Sequence, residues 1–461
     1  MSDILKTKSK PQKFCGFFFA SYKFVQDLLK TQFVCKIAVA VVYFKQYEFC
    51  VNKRSQMKRA ITLAGGGSLG SYEIGAVMAL KELGVDYQIV TGTSIGALNG
   101  AFVVMDELEK AKQMWFDITA DKVMRDGINI SKKLVSEFDL SQLGDINNWL
   151  KIYLKSGFCA DITRFKHLIK ENVDLQKIKR SPIKFGAVCS TFPTLKRVDI
   201  DLKSVPEDQM LAWLHASSAC TPVFPVETID GKKYVDGFFN DNLPIRLAFA
   251  YGADEVVAID MQLFSLKPQN SFYLSLPNVK YVAPYIEMGS MMDFSQTVIQ
   301  NNFLLGYLDT FKEYKKYRGY CFAFEDDFDC SGFLADMLKR FSTDSKYVIN
   351  VLKKDIRTPM DEKDFFVRTL EIIAQKLKIQ SYYKVFSVQE FCQTILQKKK
   401  EQSLPQKMQL VQKITNFASK ILESDTKEER LFAKYLEFFE SKYLNVNQTE
   451  NNSKYLQIKQ N

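Results

Sequence analysis

The sequence predicts an α/β fold, in which a mainly parallel sheet is covered on both faces by helices and followed by a mainly helical C-terminal region. Between Met57 and about Met261, short apolar segments alternate with longer segments of helical periodicity. Such alternation is typical of strand–helix–strand units with parallel strands. Beyond Gln262 helical periodicity dominates, as in Asp309–Tyr317 and Asp364–Leu377.

The first predicted elements flank two glycine-rich turns. We predict a strand, a helix, a second strand and a second helix at Arg59–Ala64, Ser68–Gly84, Asp86–Thr91 and Ile95–Met105. Further strands are predicted at Lys184–Cys189, Arg197–Ile200, Lys232–Val235 and Glu255–Asp260. In an α/β sheet, active-site residues gather where the strands end. The turns after these strands are therefore the places to look for chemistry.

The positive charge of the chain is concentrated at its N-terminus. The 461 residues carry a formal net charge of +10. Residues 1–59 hold ten Lys and two Arg against three acidic residues, so the rest of the chain is near neutral. A nucleic-acid-binding domain carries its basic residues on the folded domain itself. We therefore expect no nucleic-acid partner.

We expect four regions along the chain. Residues 1–56 form a basic, aromatic-rich extension outside the fold; a segment that lies on anionic lipid and a targeting segment are the alternatives. Its apolar stretches are shorter than the roughly 20 residues that span a bilayer. Residues 57–262 form the sheet domain, residues 263–330 continue it, and residues 331–461 form a helical region without a chemical motif of its own.

The cysteine and histidine content limits which cellular compartment and which metal sites we expect. The nine cysteines are an odd number and contain no C-x-x-C pair, which favours a reducing compartment over a disulfide framework. Two histidines are too few for most His-rich metal sites. We expect a cytoplasmic protein without a metal ion, and peripheral contact with a membrane is a further expectation.

The first motif is Gly92-Thr93-Ser94-Ile95-Gly96, between a predicted strand and a predicted helix. A nucleophilic serine at such a junction needs glycines two residues to either side, because side chains there would collide in the tight turn. The helix that follows directs unpaired N–H groups towards developing negative charge. The alternative is a glycine-rich turn with an ordinary N-cap serine at position 94.

The second motif is Gly65-Gly66-Gly67-Ser68-Leu69-Gly70, which also lies between a strand and a helix. Its bare backbone N–H groups can approach an oxyanion. The same letters satisfy the dinucleotide-binding pattern G-x-G-x-x-G, which expects an acidic residue at the end of the next strand. Asp86 is at the right spacing but begins that strand, so a nucleotide site is the weaker interpretation.

The third motif is Asp236-Gly237 at the end of a predicted strand, and it is followed by Asn242 and Pro244. A serine nucleophile needs a base, and the order Ser…Asp…His would require a histidine after Asp236. None follows, because His215 is the last histidine of the chain. His167 and His215 both fit structural positions on helices better. An aspartate that acts directly on Ser94 is then the simplest arrangement, although an isolated Asp-Gly turn is common.

Taken together and in this order, the three motifs resemble the patatin-like phospholipase family. The resemblance covers about residues 57–262, and a weaker similarity to bacterial-type members extends to about Phe324. It implies a three-layer α/β/α sheet, a catalytic Ser94–Asp236 dyad, an oxyanion hole at Gly65, Gly66, Gly67 and Ile95, and motif glycines at Gly70, Gly92, Gly96 and Gly237.

The resemblance also implies hydrolysis of lipid acyl esters through an acyl-enzyme, without a metal or cofactor. The expected substrate is a phospholipid, a lysophospholipid or another acyl-ester lipid. Two positions depart from the family pattern, since Leu69 stands where Arg or Lys is frequent and Phe238 where a second glycine is common. These departures motivate an alternative, a catalytically weak protein that binds lipid or a partner through the same cleft.

Overall fold

The computed structural model describes residues 57–125, 160–221, 223–262, 268–342, 344–354, 356–357, 359–403 and 427–444. The N-terminal extension, residues 1–56, and the polar segment 445–461 lie outside the described residues. From Lys58 onward the chain belongs to one compact unit, Lys58–Asn461.

A central sheet organises the first half of this unit. Its strands are β1 (Arg59–Leu63), β2 (Ile89–Thr93), β3 (Lys184–Thr191), β4 (Arg197–Asp201), β5 (Glu227–Ile229), β6 (Lys232–Asp236), β7 (Glu255–Ile259) and β8 (Val279–Val282). The order is β5-β6-β3-β2-β1-β7-β8, and β4 also pairs with β3. The pairs from β3 through β2, β1 and β7 to β8 are parallel, whereas β4, β5 and β6 pair antiparallel at one flank.

Helices follow most of the strands. They are α1 (Ser71–Glu82), α2 (Ile95–Val104), α3 (Leu108–Asp117), α4 (Ala120–Val123), α5 (Thr163–Asn172), α6 (Leu175–Arg180), α7 (Glu207–Ser217), α8 (Ile245–Ala250), α9 (Pro268–Leu274) and α10 (Gln296–Glu313). The later ones are α11 (Phe333–Phe341), α12 (Ser345–Lys353), α13 (Glu362–Lys376), α14 (Val388–Ser403) and α15 (Lys427–Phe439).

Neighbouring residues of β3 show that helices cover both faces of the sheet. Successive side chains of a strand point to opposite faces. A side chain at Gly100 of α2 would touch the ring of Phe185, whereas one at Gly186 would touch Leu247 of α8 and Tyr251 beyond it. Since α2 and α8 thus lie against opposite faces, the predicted three-layer α/β/α arrangement is confirmed.

Glycines bring α1 and α10 into close contact. A Cβ atom at Gly75 would overlap the Phe303 carbonyl oxygen, and one at Gly306 would overlap the Tyr72 carbonyl oxygen. The Tyr72 hydroxyl also donates to Asp309 at 2.9 Å. Helix α10 therefore packs main chain against main chain on α1, the helix that follows Gly65–Gly70.

The predicted strand and helix boundaries differ from the structure where turns intervene. Strand β2 begins at Ile89, three residues after Asp86, and α1 begins at Ser71 because Gly67–Gly70 form a turn of 3-10 helix. The predicted helix Asp309–Tyr317 overlaps only the last turn of the longer α10, which ends at Glu313. Strands β5 and β8 were not predicted, since three and four residues are too few for a visible alternation.

A second hydrophobic core lies beyond α10. Two short parallel strands, β9 (Ala323–Phe324) and β10 (Val385–Phe386), pair beside helices α11 to α15. Buried side chains between Cys321 and Leu444 form one cluster, which we call the aromatic cluster because Phe and Tyr dominate it. In the described part of the chain, no helix has both the length and the apolar character needed to cross a membrane.

Candidate active site

Ser94 occupies a strained turn between β2 and α2. Its φ of 56° lies in a region that residues other than glycine rarely adopt. The turn is as tight as the motif predicts, since a Cβ atom at Gly92 would overlap the Gly96 carbonyl oxygen and one at Gly96 would lie 2.5 Å from the Leu63 carbonyl oxygen. With this backbone conformation, the serine side chain lies outside both the strand and the helix.

Asp236 ends β6 and reaches Ser94. The Ser94 hydroxyl donates to Asp236 Oδ2 at 2.6 Å, and the Phe238 N–H donates to Oδ1 at 2.9 Å. Strand β6 runs antiparallel to β3, so its carboxyl end points away from the edge where the parallel strands end. It is short enough that Asp236 still pairs with Cys189, two residues before β3 ends, which keeps the carboxylate at the level of the serine.

Burial sets the protonation of Asp236. The residue is fully buried, and loss of hydration raises the pKa of its carboxyl group to about 7, while hydrogen bonds from Ser94, Phe238 and Gly237 act in the opposite direction. A general base works best when its pKa lies near the operating pH. The carboxylate can therefore take a proton from Ser94 near neutral pH.

The loop Gly65–Gly70, the glycine loop, lies beside the serine. A Cβ atom at Gly65 would lie 3.0 Å from Ser94 Cβ. Asn242 fastens this end of the loop, because the Gly65 N–H donates to the Asn242 carbonyl at 3.1 Å and the Asn242 amide donates to the Gly65 carbonyl at 3.0 Å. At the next turn Ser68 N–H donates to Met291, and Gly67 has a φ of +57°.

Three backbone N–H groups remain available at this point. Among the described residues, those of Gly66, Gly67 and Ile95 donate to no acceptor, whereas the Ser94 N–H donates to Ser217 Oγ at 3.0 Å. The Ser217 hydroxyl in turn donates to the Val188 carbonyl at 2.8 Å. Ser217 therefore holds the serine turn against β3, a contact across 123 residues of sequence.

A narrow, mainly apolar cleft opens at Ser94, with a cavity volume of about 80 Å³. Its walls include side chains from five separate segments, among them Ile95, Leu98, Trp115, Phe165, Phe224 and Met291. Trp115, Phe165 and Met291 were not predicted as site residues, because apolar side chains so far apart in sequence carry no local motif. No charged side chain lines the described part of the cleft.

The remaining candidates lie elsewhere. His167 is exposed on α5, and His215 is buried at the end of α7, where burial lowers its pKa to about 4. Asp86 is exposed before β2, at the opposite edge of the parallel strands from the glycine loop, which removes the acid that a dinucleotide site would need. Leu69, within the glycine loop, is buried.

One cysteine, Cys220, contributes to the wall of the cleft. The five cysteines within the described ranges are free. In the same ranges, no group of three or more His, Cys, Asp or Glu side chains is arranged to hold a metal ion.

The fold and the site define a class: an α/β/α sandwich with a serine at a strand–helix turn, hydrogen-bonded to a buried aspartate. Residues 61–249 match the family model described as "Patatin-like phospholipase". This part of the chain is a patatin-like phospholipase domain.

Curated relatives share this domain. The patatin-like phospholipase domain-containing protein 7 of Rattus norvegicus is 26% identical over 210 residues, which are 44% of this chain and 13% of that protein. The neuropathy target esterase sws of Drosophila melanogaster is 27% identical over 217 residues, which are 44% of this chain and 13% of that protein. The chain thus matches about an eighth of the length of these relatives.

Among solved structures, VipD from Legionella pneumophila is similar with a TM-score of 0.38 and 14% identity, over 85% of this chain and 86% of that one.

Proposed function

We propose that the protein is a lipid acyl hydrolase that cleaves carboxylic esters through Ser94, with Asp236 as the general base. The observation that carries the proposal is the 2.6 Å hydrogen bond between the two side chains at an apolar cleft. The family of the domain and the names of its relatives, which include a lysophospholipase and an esterase, support a lipid ester as substrate.

Acylation begins when Asp236 accepts the Ser94 hydroxyl proton as Oγ attacks the ester carbonyl carbon. The C=O π electrons move onto oxygen, and the N–H groups of Gly66, Gly67 and Ile95 stabilise that oxyanion. When the carbonyl re-forms, the bond to the alcohol breaks, and Asp236 returns the proton to the departing oxygen. Ser94 then carries the acyl group as an ester.

Deacylation repeats these steps with water. Asp236 takes a proton from a water molecule, whose oxygen attacks the acyl-enzyme carbonyl. Collapse of the second oxyanion releases the fatty acid, and the proton returns to Ser94 Oγ. Loss of a single oxyanion donor typically costs roughly 100- to 1,000-fold in rate.

The cleft suits an acyl chain better than a polar headgroup. Its described lining is mainly aliphatic and aromatic, and no charged residue contributes to it. Burial of a chain there gains about 0.8 kcal/mol per CH₂ group. Selection of phospholipid, lysophospholipid or simple ester then depends on how the alcohol portion fits at the cleft mouth.

The test compares wild type with Ser94→Ala, Asp236→Asn and the matched control Asp260→Asn. Asp260 is equally buried just after β7, where it accepts from the Tyr281 hydroxyl at 2.6 Å. We expect hydrolysis of a p-nitrophenyl ester and of labelled phospholipid and lysophospholipid to vanish with Ser94→Ala. Asp236→Asn loses about 100- to 10,000-fold, the usual contribution of a general base, and Asp260→Asn stays active.

Labelling with a fluorophosphonate distinguishes the proposal from the alternative of a catalytically weak lipid- or partner-binding protein. A hydrolase incorporates the label at Ser94, whereas a binding protein remains unlabelled. Full activity in Asp236→Asn would contradict the dyad, and an unlabelled wild type would contradict the hydrolase.

A further inference from the structure

A buried polar group behind the cleft is not used in the proposed reaction. It centres on Asn99, which is fully buried on α2, five residues after Ser94. Its amide donates to the Gly70 carbonyl and to Glu73 Oε2, both at 2.8 Å, and its carbonyl accepts from Trp115 Nε1 at 3.0 Å. Three of the four hydrogen bonds that an asparagine side chain can make are therefore satisfied.

Each partner of Asn99 belongs to a different part of the site. Gly70 ends the glycine loop, and Trp115 on α3 forms a wall of the cleft. The three segments are in direct contact, since a Cβ atom at Gly70 would lie 2.6 Å from Ile95 Cγ1 and 2.8 Å from Trp115 Cζ2. One amide thus ties the serine helix to the loop and to the cleft wall.

Glu73 is the third hydrogen-bond partner of Asn99. The side chain is fully buried on α1, and loss of hydration raises the pKa of its carboxyl group well above the usual value. Within the described residues, its second oxygen, Oε1, has no hydrogen-bond partner. The raised pKa of Glu73 favours its protonated form, in which Oε2 can still accept from the Asn99 amide.

We propose that Asn99 is a positioning residue with two separable effects, which rests on the proposed function. Through Gly70 it fixes the position of the glycine loop relative to Ser94, and this affects the rate with every substrate. Through Trp115 it fixes the cleft wall, and this sets how well long acyl chains fit. The rotatable indole of an unbonded Trp115 would narrow or widen a cleft of only about 80 Å³.

The decisive variant is Trp115→Phe, which removes the Nε1–H donor and keeps an aromatic ring. Its matched control is Trp213→Phe, the same change on α7, where Trp213 packs on Tyr234 with ring centroids 4.7 Å apart and does not line the cleft. The readout is the second-order rate constant for inactivation by alkyl fluorophosphonates of increasing chain length.

We expect Trp115→Phe to lose up to about tenfold with the longest alkyl chain and little with the shortest. The net contribution of one hydrogen bond corresponds to at most about a tenfold change in a rate constant. Trp213→Phe should keep the wild-type profile. An unchanged profile in Trp115→Phe, or an equal shift in Trp213→Phe, overturns the role given to the Trp115 contact.

Asn99→Asp tests the other half of the proposal. An aspartate keeps an acceptor for Trp115 but loses the amide that donates to Gly70 and Glu73. We expect inactivation to slow by roughly tenfold or more at all chain lengths, because small displacements of catalytic groups are costly. If inactivation slows only with the long-chain reagents, the division of roles between Gly70 and Trp115 is contradicted. If the variant does not fold, the Trp115→Phe series still decides whether Asn99 positions the wall.

The same series separates this inference from the proposed function. A wild type that no fluorophosphonate labels contradicts the hydrolase itself. If the wild type is labelled but Trp115→Phe and Trp213→Phe show the same dependence of inactivation rate on chain length, only the positioning role is contradicted.

Discussion

The surroundings of Ser94 and the aromatic cluster are packed in different ways. Around Ser94 the backbone makes the close contacts, since glycines let main-chain atoms of β1, β2 and α2 meet without side chains between them. In the aromatic cluster, side chains fill the space. Phe333 is fully buried and meets the rings of Phe366, Phe439 and Tyr443 at centroid distances of 5.3 to 5.6 Å, edge to face.

This difference implies that substitutions near Ser94 mainly change activity, whereas substitutions in the aromatic cluster mainly change stability. A glycine contact fixes atomic positions and contributes little buried area, so its loss displaces reacting groups. An edge-to-face ring contact contributes buried area and about 0.5–1.5 kcal/mol beyond it, so its loss weakens the fold. We expect substitutions in the two regions to fail in different assays, and each prediction below tests that division.

The largest expected effect is on activity, from Gly96→Ala. The new Cβ atom would lie 2.5 Å from the Leu63 carbonyl oxygen and 2.6 Å from that of Ala64, so the serine turn must shift. We expect fluorophosphonate labelling of the folded protein to slow by about 100-fold or more, since a shift of 1 Å costs this much.

The control for this glycine is Gly84→Ala, at a φ of +67° with nothing within 4 Å of the new atom. It should cost about 1–2 kcal/mol in unfolding free energy and leave the labelling rate unchanged. Equal labelling rates in Gly96→Ala and wild type would show that the turn is not a tight constraint.

The next effect is on stability, from Phe333→Ala. Truncation of a buried Phe costs about 3–5 kcal/mol in the free energy of unfolding, through lost transfer energy and the cavity left behind. Denaturant titration measures it, and the ester hydrolysis rate of the molecules that remain folded should stay near wild type. Leu338→Ala, on the same helix and 40% exposed, is the control and should change the unfolding free energy by less than about 0.5 kcal/mol.

A large loss of activity per folded molecule in Phe333→Ala would break the division, because the aromatic cluster would then influence the site directly.

A smaller and graded effect concerns pH. Because the pKa of Asp236 is raised from 3.8 to about 7, we expect kcat/KM to rise about tenfold per pH unit below 7 and to level off above it. Between about pH 4 and 7 the native carboxyl group keeps a proton that the unfolded chain releases. The stability that this retained proton gives the folded state is therefore lost as pH rises from about 4 to about 7.

Asp236→Asn should lack this slope and become the more stable protein above pH 7. Parallel denaturant titrations at pH 5 and pH 8 measure the difference. A stability gap that is independent of pH would mean that burial does not control the carboxyl group.

The sequence predicted the features that depend on local pattern. The turns at Gly92–Gly96 and Gly65–Gly70 and the aspartate at the end of β6 are local, because tight backbone geometry requires particular residues at fixed spacing. In the structure the Ser94 hydroxyl donates to Asp236 at 2.6 Å.

Long-range contacts could not be read in this way. Ser217 bonds to a residue 123 positions away, and the cleft residues Trp115, Phe165 and Met291 come from segments without a motif. The full burial of Glu73 was equally hidden, since a glutamate in a helix is usually exposed. Its hydrogen bond to Asn99 can be recognised only after α1 and α2 are placed side by side.

The backbone contact between α1 and α10 also bears on how much of the chain is needed for a stable fold. The matched domain ends at residue 249, yet Gly306 and Phe303 lie against the helix that continues the glycine loop. A polypeptide that stopped near Met261 would leave Tyr72 and Gly75 facing water instead of a helix. We therefore expect the smallest autonomous folding unit to extend at least through Glu313, about 64 residues past the end of the matched domain.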